Sequence, residues 1–410
     1  MKLLKHKIFS NSPLIIMLAL FFLFGFNTVM NDVLMPHVQG MFKLSFFQSN
    51  FVQSAFFIAF LVCGLPAGWV ISKIGYKKGI MLALSVLTLG LILFILTPVF
   101  GTFTMVLWAL FIMGCGITIA QVAANPYLIS LGSSETGSYR LNLAGIFNSF
   151  ARIINTIIGG SLMFLPLDSS IAEKFEAMRG PYFIMAAVVL IFAAIIGISK
   201  LPEIHYDTAQ EVATKDIKSV WHFKHLILGA GAIFFYVGAE VSIGGVLIDY
   251  LHQPKIGGYT HEAANWLVTV FWMLMMIGRF VGFLTLQKVR ADRGLLFVSI
   301  MAVYFVFVGM FTSGYVSLSA IMMLGLCNSI MWPCIFPISI SRLGKYTSLG
   351  SGLLISMVVG GAIIPLFQAY LAENVLGYNL SFVVLLFCYV YILYFAMVGK
   401  KWADQCVEEK

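Results

Sequence analysis

Two carboxylates stand where carboxylates are costly. Asp32, in FFLFGFNTVMNDVLMPH (21–37), and Glu240, in FFYVGAEVSIGGVLIDY (234–250), are embedded in apolar runs, whereas nearly all the other acids among the seventeen fall in polar turns, tails or the ends of such runs. An acid at membrane depth costs several kcal/mol on insertion scales, about 3 kcal/mol at the centre of a span, so it faces a polar cavity, has a partner and marks a functional path. The chemistry open to such a group is reversible capture of a cation, either a proton or Na⁺.

A second set of residues suits a different ligand. Gln53, Gln121, Asn125, Asn148, Asn328 and Gln368 are amides inside or beside apolar runs. An amide side chain both donates and accepts, as the hydroxyls of a polyhydroxylated molecule do. The rings of Trp332 and Phe56 offer flat apolar faces against which the apolar face of a ligand ring packs. Any one of these amides serves equally well as an interhelical hydrogen bond, so the argument rests on their convergence.

The spacing of these residues carries a repeat. Asp32 and Glu240 are 208 residues apart; Gln121 lies five residues before Pro126 and Asn328 five before Pro333, and those prolines are 207 apart. Half of a 410-residue chain is close to this distance, so a six-plus-six duplication is predicted. Parallel repeats of that kind set substrate and ion sites near the membrane midplane, between the halves.

The elements that must position them follow from composition. Only 10% of residues are charged, 60% are hydrophobic and the mean hydropathy is +0.96, against about 25% charged in a soluble domain. Twelve apolar runs of spanning length begin near Pro13, Phe47, Gly79, Gly101, Tyr139, Pro181, Phe223, Glu262, Gly294, Val316, Ser348 and Tyr378. None alternates polar with apolar as a membrane barrel strand does, so the spans are helices. The fold class is all-α integral membrane: twelve transmembrane helices in two six-helix pseudo-symmetric bundles, residues 1–199 and 223–410, joined by a cytoplasmic linker over 200–222.

Charge sets the orientation. With both termini cytoplasmic, nineteen of the 25 Lys and Arg fall on the inner side, while Arg152 and Arg279 lie inside spans. The +8 net charge is thus a topology signal and no nucleic-acid surface is expected. The basic, apolar start is read as a retained first span, since its apolar run is too long for a signal peptide and it lacks a small-x-small cleavage site. Six dispersed cysteines have no metal-ligand spacing, so neither a metal site nor a disulfide framework is expected.

The turn after the second span, GWVISKIGYKKG, places Gly68, Ser72, Gly75, Lys77 and Lys78 at the positions of the G-x-x-x-D-x-x-G-x-[RK]-[RK] gating loop of the major facilitator superfamily, with Ser72 in place of the usual Asp. The glycines permit a tight turn, and the lysines suit the C-terminal end of a neighbouring helix. The segments NDVLMPH (31–37), QVAANPYLISLG (121–132), RLNLAGIFNSF (140–150), FFYVGAEVSIGGVLIDY (234–250), LCNSIMWPCIFPISI (326–340) and GSGLLISMVVGGAIIPLFQAYLA (350–372) resemble the fucose–galactose–glucose symporters within that superfamily. Gln121 combined with Glu240 is similar to the glucose/galactose branch; the fucose branch has Glu at the first position and Gln at the second.

The resemblance implies a bacterial inner-membrane symporter that imports a hexose or hexose derivative with H⁺ or Na⁺ by alternating access. It assigns Asp32 to cation coupling, Gln121 and Asn148 to the sugar, and Glu240 to the branch's second membrane acid. No bound cofactor is expected beyond the co-transported ion, and the partners are a small sugar and the lipid bilayer, with the protein a monomer. Two departures stand out: Gly145 replaces the family's usual Gln, and Arg152 replaces a small or polar residue. Arg152 lies four residues after Asn148, hence on the same helical face, as a partner for Asp32 or for a substrate carboxylate or acyl oxygen. Other readings are proton-coupled efflux of apolar compounds, which suits an amide-rich cavity poorly, a sugar receptor that does not transport, and a membrane-embedded enzyme. Against the last, the seven His are dispersed and no catalytic cluster is evident.

Overall fold

The computed structural model describes residues 12–44, 46–163, 171–202 and 219–408. Among them the chain is helical from end to end: α1 (Ser12–Phe42), α2 (Phe46–Ile74), α3 (Tyr76–Ile95), α4 (Phe103–Ser130), α5 (Gly137–Met163) and α6 (Ile171–Ile198) make the first half. The second half runs α7 (Lys224–His252), α8 (His261–Thr285), α9 (Ala291–Phe311), a broken α10 (Gly314–Asn328 and Met331–Ile340), a broken α11 (Thr347–Ser356 and Gly360–Leu371) and α12 (Val383–Glu408). Helices are what a hydrocarbon layer permits, because each satisfies its own backbone hydrogen bonds.

Two starts differ from those the hydropathy suggests. α6 begins at Ile171 and carries Pro181 in its interior, since a proline in a membrane helix removes one backbone bond without ending the helix. α12 begins at Val383, after a separate short helix, Gly377–Ser381, that opens on Gly377 with φ 73°.

Ten segments of the described residues are long and apolar enough to cross a membrane, and Pro13–Thr28 is a shorter apolar stretch. α5 is not among them. Its described part carries Arg140, Asn142, Asn148, Arg152 and Asn155, so the most polar of the twelve helices is one on which ligand chemistry was expected.

The chain divides into two compact units, one of Met1–Leu131 and Ala144–His205, the other of Gly132–Leu143 and Tyr206–Lys410. The expected boundaries, 1–199, 200–222 and 223–410, put all of residues 132–143 in the first half; the contacts group that segment with the second unit. The reason is local and polar: Asn142 Nδ2 donates to the Arg279 carbonyl at 2.6 Å, and Tyr139 stacks on Phe283 with ring centroids 4.7 Å apart. Most of the linker, 203–218, lies outside the described residues.

Among the glycine-dependent crossings in each unit, one pair corresponds between the halves. In the first, a Cβ on Gly25 of α1 would collide with the backbone carbonyl of Asn148 on α5; in the second, a Cβ on Gly360 of α11 would collide with the carbonyl of Phe234 on α7. The first and fifth helices of each half therefore meet backbone to backbone, as small residues let membrane helices do. The duplication seen in the acids and amides thus extends to packing.

Gly25→Val and Gly360→Val should each destabilise the protein by about 3 kcal/mol, the upper range of overpacking costs. Gly180→Ala, with nothing within 4 Å of the new Cβ, should stay within about 0.5 kcal/mol. Thermal unfolding of the three purified variants checks this; equal melting points would dispose of the crossings.

Candidate functional site

In the first unit α5 is fastened to α1 by amides. Asn148 Nδ2 donates to the Phe21 carbonyl at 3.1 Å, and Asn155 Nδ2 donates to the Phe26 carbonyl. Arg152, half-buried, lies between them in sequence, four residues after one and three before the other, so all three share the face that meets α1. Asp32 is in α1, but its side chain lies outside the described residues. Using its N–H₂ on a backbone carbonyl leaves Asn148 with its Oδ1 to accept from a ligand.

The helix α4 contributes a second pair. Asn125 Nδ2 donates to the Gln121 backbone carbonyl at 2.9 Å, and its buried Oδ1 has no hydrogen-bond partner among the described residues. Gln121 and Gln53 are half-buried. Phe56 is buried and packs edge-on against Phe60 at 5.4 Å, which makes it part of the packed interior. The sulfurs of Cys63 and Cys115 approach to 3.0 Å on α2 and α4, both as free thiols.

In the second unit Tyr236 stands one helical turn before Glu240 on α7. Tyr389 of α12 donates to Asn328 Oδ1 at 2.8 Å. Tyr236, Tyr389 and Asn328 are fully or almost fully buried, and Arg279 is 8% exposed. Glu240 is half-buried.

Asn328 ends the first half of α10, and the helix breaks after it at Ser329–Ile330. At the corresponding place in the first half α4 runs unbroken through Pro126, so the duplicated amide-proline pair has two different backbones. The break leaves the Asn328 Nδ2 donor buried with no partner among the described residues. Trp332, one turn on, stacks on Phe336 at 5.7 Å and lies 6.3 Å from the Tyr236 ring. The Gln368 Nε2 reaches Ser381 Oγ at 3.4 Å, tying α11 to the segment before α12.

The turn between α2 and α3 is a tie between helices. Gly75 takes φ 81°, and Lys77 Nζ donates to the Gly197 and Ser199 carbonyls at 3.0 and 2.8 Å, closing the C-terminal end of α6. A cation there satisfies carbonyls that have no partner within the helix. Ser72 Oγ turns back to the Trp69 carbonyl at 2.7 Å, while Gly68 is buried and Lys78 exposed. Among the described residues no group of three metal-ligating side chains occurs.

The family profile described as Major Facilitator Superfamily matches residues 17–363. The chain belongs to the major facilitator superfamily. Within it, the chain is 38% identical over 385 residues to a glucose/galactose transporter of Brucella abortus biovar 1, covering 93% of this chain and 92% of that one. It is 30% identical over 404 residues to the L-fucose-proton symporter of Escherichia coli K12, covering 94% and 92%. The crystal structure of the transporter FucP in the outward conformation superposes with a TM-score of 0.84 at 29% identity, over 95% of this chain and 99% of that chain. These relatives are the fucose–galactose–glucose symporter family that the sequence motifs resemble.

Sequence reasoning singled out Glu240, Asn328 and Trp332 in the second half, and missed Tyr236 and Tyr389. The signal for Tyr236 was its i, i+4 spacing from an embedded acid; Tyr389 had none, because its partner comes from a different helix.

Tyr389→Phe should cost about 1–3 kcal/mol, the penalty for leaving the Asn328 acceptor unpaired in a buried site. Adding Asn328→Leu should recover part of that loss, because both partners are then apolar. Melting temperatures of the single and double variants test it; a further drop in the double variant contradicts the pairing.

Proposed function

We propose that this protein is a cation-coupled sugar symporter that imports a hexose of the glucose/galactose class by alternating access. The observation that carries this reading is the joint presence of half-buried amides (Gln121, Asn148), an embedded acid (Glu240) and near full-length similarity to a glucose/galactose transporter. The amides recognise hydroxyls; the acids, Asp32 and Glu240, take the co-transported cation, a proton or Na⁺.

The cycle follows from linkage. Cation and sugar each raise the other's affinity, and the doubly loaded form is the one that changes which side of the membrane its site faces. In the second unit the Nδ2 of Asn328, without a partner among the described residues, supplies a donor and the Trp332 ring an apolar face. The protein works as a carrier and no enzymatic step is required of it. The distribution of Lys and Arg supports a bacterial inner-membrane location with both termini cytoplasmic, and a monomer suffices for transport.

The test is uptake of radiolabelled D-glucose and D-galactose into proteoliposomes under separately imposed pH and Na⁺ gradients. Accumulation driven by one gradient identifies the cation; failure of both sugars to accumulate under either gradient refutes the reading. Asp32→Asn should abolish accumulation while preserving exchange of sugar across the membrane, since the cavity survives the loss of the titratable group. Full concentrative uptake by this variant would remove Asp32 from coupling.

Arg152 is the residue through which this chain departs most from its relatives, and we assign it to balancing Asp32. Arg152→Met should then be more damaging to thermal stability alone than together with Asp32→Asn, because the single change strands a charge in the membrane. A substrate role would instead leave folding intact and, in a competition panel of glucose, galactose, N-acetylglucosamine and a uronic acid, selectively lose an acidic or N-acylated sugar; strictly additive losses with an unchanged panel would make Arg152 a snorkelling interface residue.

A further inference from the structure

The thiols of Cys63 and Cys115 face each other inside the first unit, and the transport cycle gives them no task. Cys63 lies on α2 and Cys115 on α4, 52 residues apart, and the Cys63 thiol donates to Cys115 Sγ at 3.0 Å. Both are free. Closing a disulfide asks the two sulfurs to approach by about 1 Å, to a bond of roughly 2.05 Å.

The two helices are held together at this point by close approach of their backbones. Gly114, next to Cys115, meets α2 so closely that an added Cβ would lie 2.8 Å from Ala59 Cβ and 3.1 Å from the Phe56 carbonyl. Ala59 precedes Cys63 by one helical turn, so the face of α2 that touches Gly114 is the face that carries the thiol. On its other side Cys115 is followed by Gly116, which rests on α3: a Cβ there would fall 2.5 Å from the Leu87 backbone nitrogen. α4 is thus held between α2 and α3, and the Cys115 thiol has little room to leave its partner.

The surroundings are apolar. Both cysteines lie in segments long and apolar enough to cross a membrane, Phe51–Ile74 and Phe103–Ser130. Cys115 is buried and Cys63 half-buried, and the nearby Ile58, Leu61 and Val62 of α2 expose their apolar side chains. A reagent therefore meets Cys63 first and comes through lipid, which holds back a charged molecule by the cost of leaving water.

We propose that Cys63 and Cys115 are an intramembrane oxidation site, converted to a disulfide between α2 and α4 by uncharged halogen-type oxidants, a hypohalous acid or the halogen itself, that arrive through the lipid. With molecular iodine, Cys63 Sγ takes one iodine atom: the S–I bond forms, the S–H and I–I bonds break, and HI leaves. Cys115 Sγ then displaces iodide. The S–S bond forms, the S–I bond breaks, and the Cys115 proton leaves with the iodide as a second HI. The two thiols lose two electrons and the iodine molecule gains them. The link closes a long loop of the unfolded chain, so it stabilises the protein. Glutathione is charged and stays in water, so the closed link is reopened by an uncharged dithiol instead.

The full-length protein in lipid nanodiscs tests this when treated either with iodine or with tetrathionate, a dianionic thiol oxidant. Remaining thiols are alkylated after unfolding, and linked and alkylated peptides are quantified by mass spectrometry. Iodine should join residues 63 and 115 in most chains, in greater yield than any other cysteine pair, and tetrathionate should act at least about tenfold more slowly. The melting temperature should rise by about 5 °C and return to its starting value with dithiothreitol. Cys63→Ser and Cys115→Ala should each remove both the link and the rise. Thiols at 63 and 115 still open to alkylation after iodine, a link that leaves the melting temperature unchanged, an equal rise in the variants, or equal rates with tetrathionate would each overturn the proposal. The native chain carries the decisive measurement, so poor folding of a variant does not leave the question open. No sugar or ion gradient enters the experiment, so its outcome is independent of the hexose reading.

Discussion

In a hydrocarbon layer a polar group has no water to turn to, and every amide, hydroxyl and charge must find its partner within the protein or in what the protein binds. The arrangement of this molecule follows from that constraint. Backbone groups are satisfied along twelve helices, and the few polar side chains that remain are drawn to one another. Asn148 and Asn155 take carbonyls of α1, Lys77 takes carbonyls at the end of α6, and Tyr389 takes Asn328.

The same constraint explains why packing and chemistry coincide. Membrane helices gain little from the hydrophobic effect against lipid, so close approach of backbones and interhelical hydrogen bonds hold them together. Gly25 lets α1 touch α5 at Asn148, the residue whose amide also reaches Phe21. Gly360 lets α11 touch α7 at Phe234, less than two turns before Glu240. Each crossing therefore fixes a helix that carries one of these polar side chains.

The two halves have diverged within this common plan. The amide-proline pair sits on a continuous helix in α4 and on a broken one in α10. In the first, Asn125 donates to the Gln121 carbonyl and keeps an Oδ1 with no partner among the described residues; in the second, Tyr389 donates to the Oδ1 of Asn328, whose Nδ2 has no partner among them.

Much of this was legible in the residues alone. Hydropathy of each run and the placement of Lys and Arg decide that the chain spans a membrane as helices, because both are local properties of about twenty consecutive residues. The rarity of embedded acids singles out Asp32 and Glu240 for the same reason. The spacings of 208 and 207 residues reveal the duplication without any contact being known. Only the tertiary structure could decide which amides are used up and which remain available. Gln368 gives its Nε2 to Ser381 and keeps a buried Oε1 with no hydrogen-bond partner among the described residues, and Tyr389 reads as ordinary apolar content, yet it bonds Asn328 from 61 residues away. The assignment of Gly132–Leu143 to the second unit likewise depends on Asn142 meeting Arg279 across 137 residues. A hydrogen bond between distant helices leaves no periodicity in either, so its partners become visible only when the chain has folded.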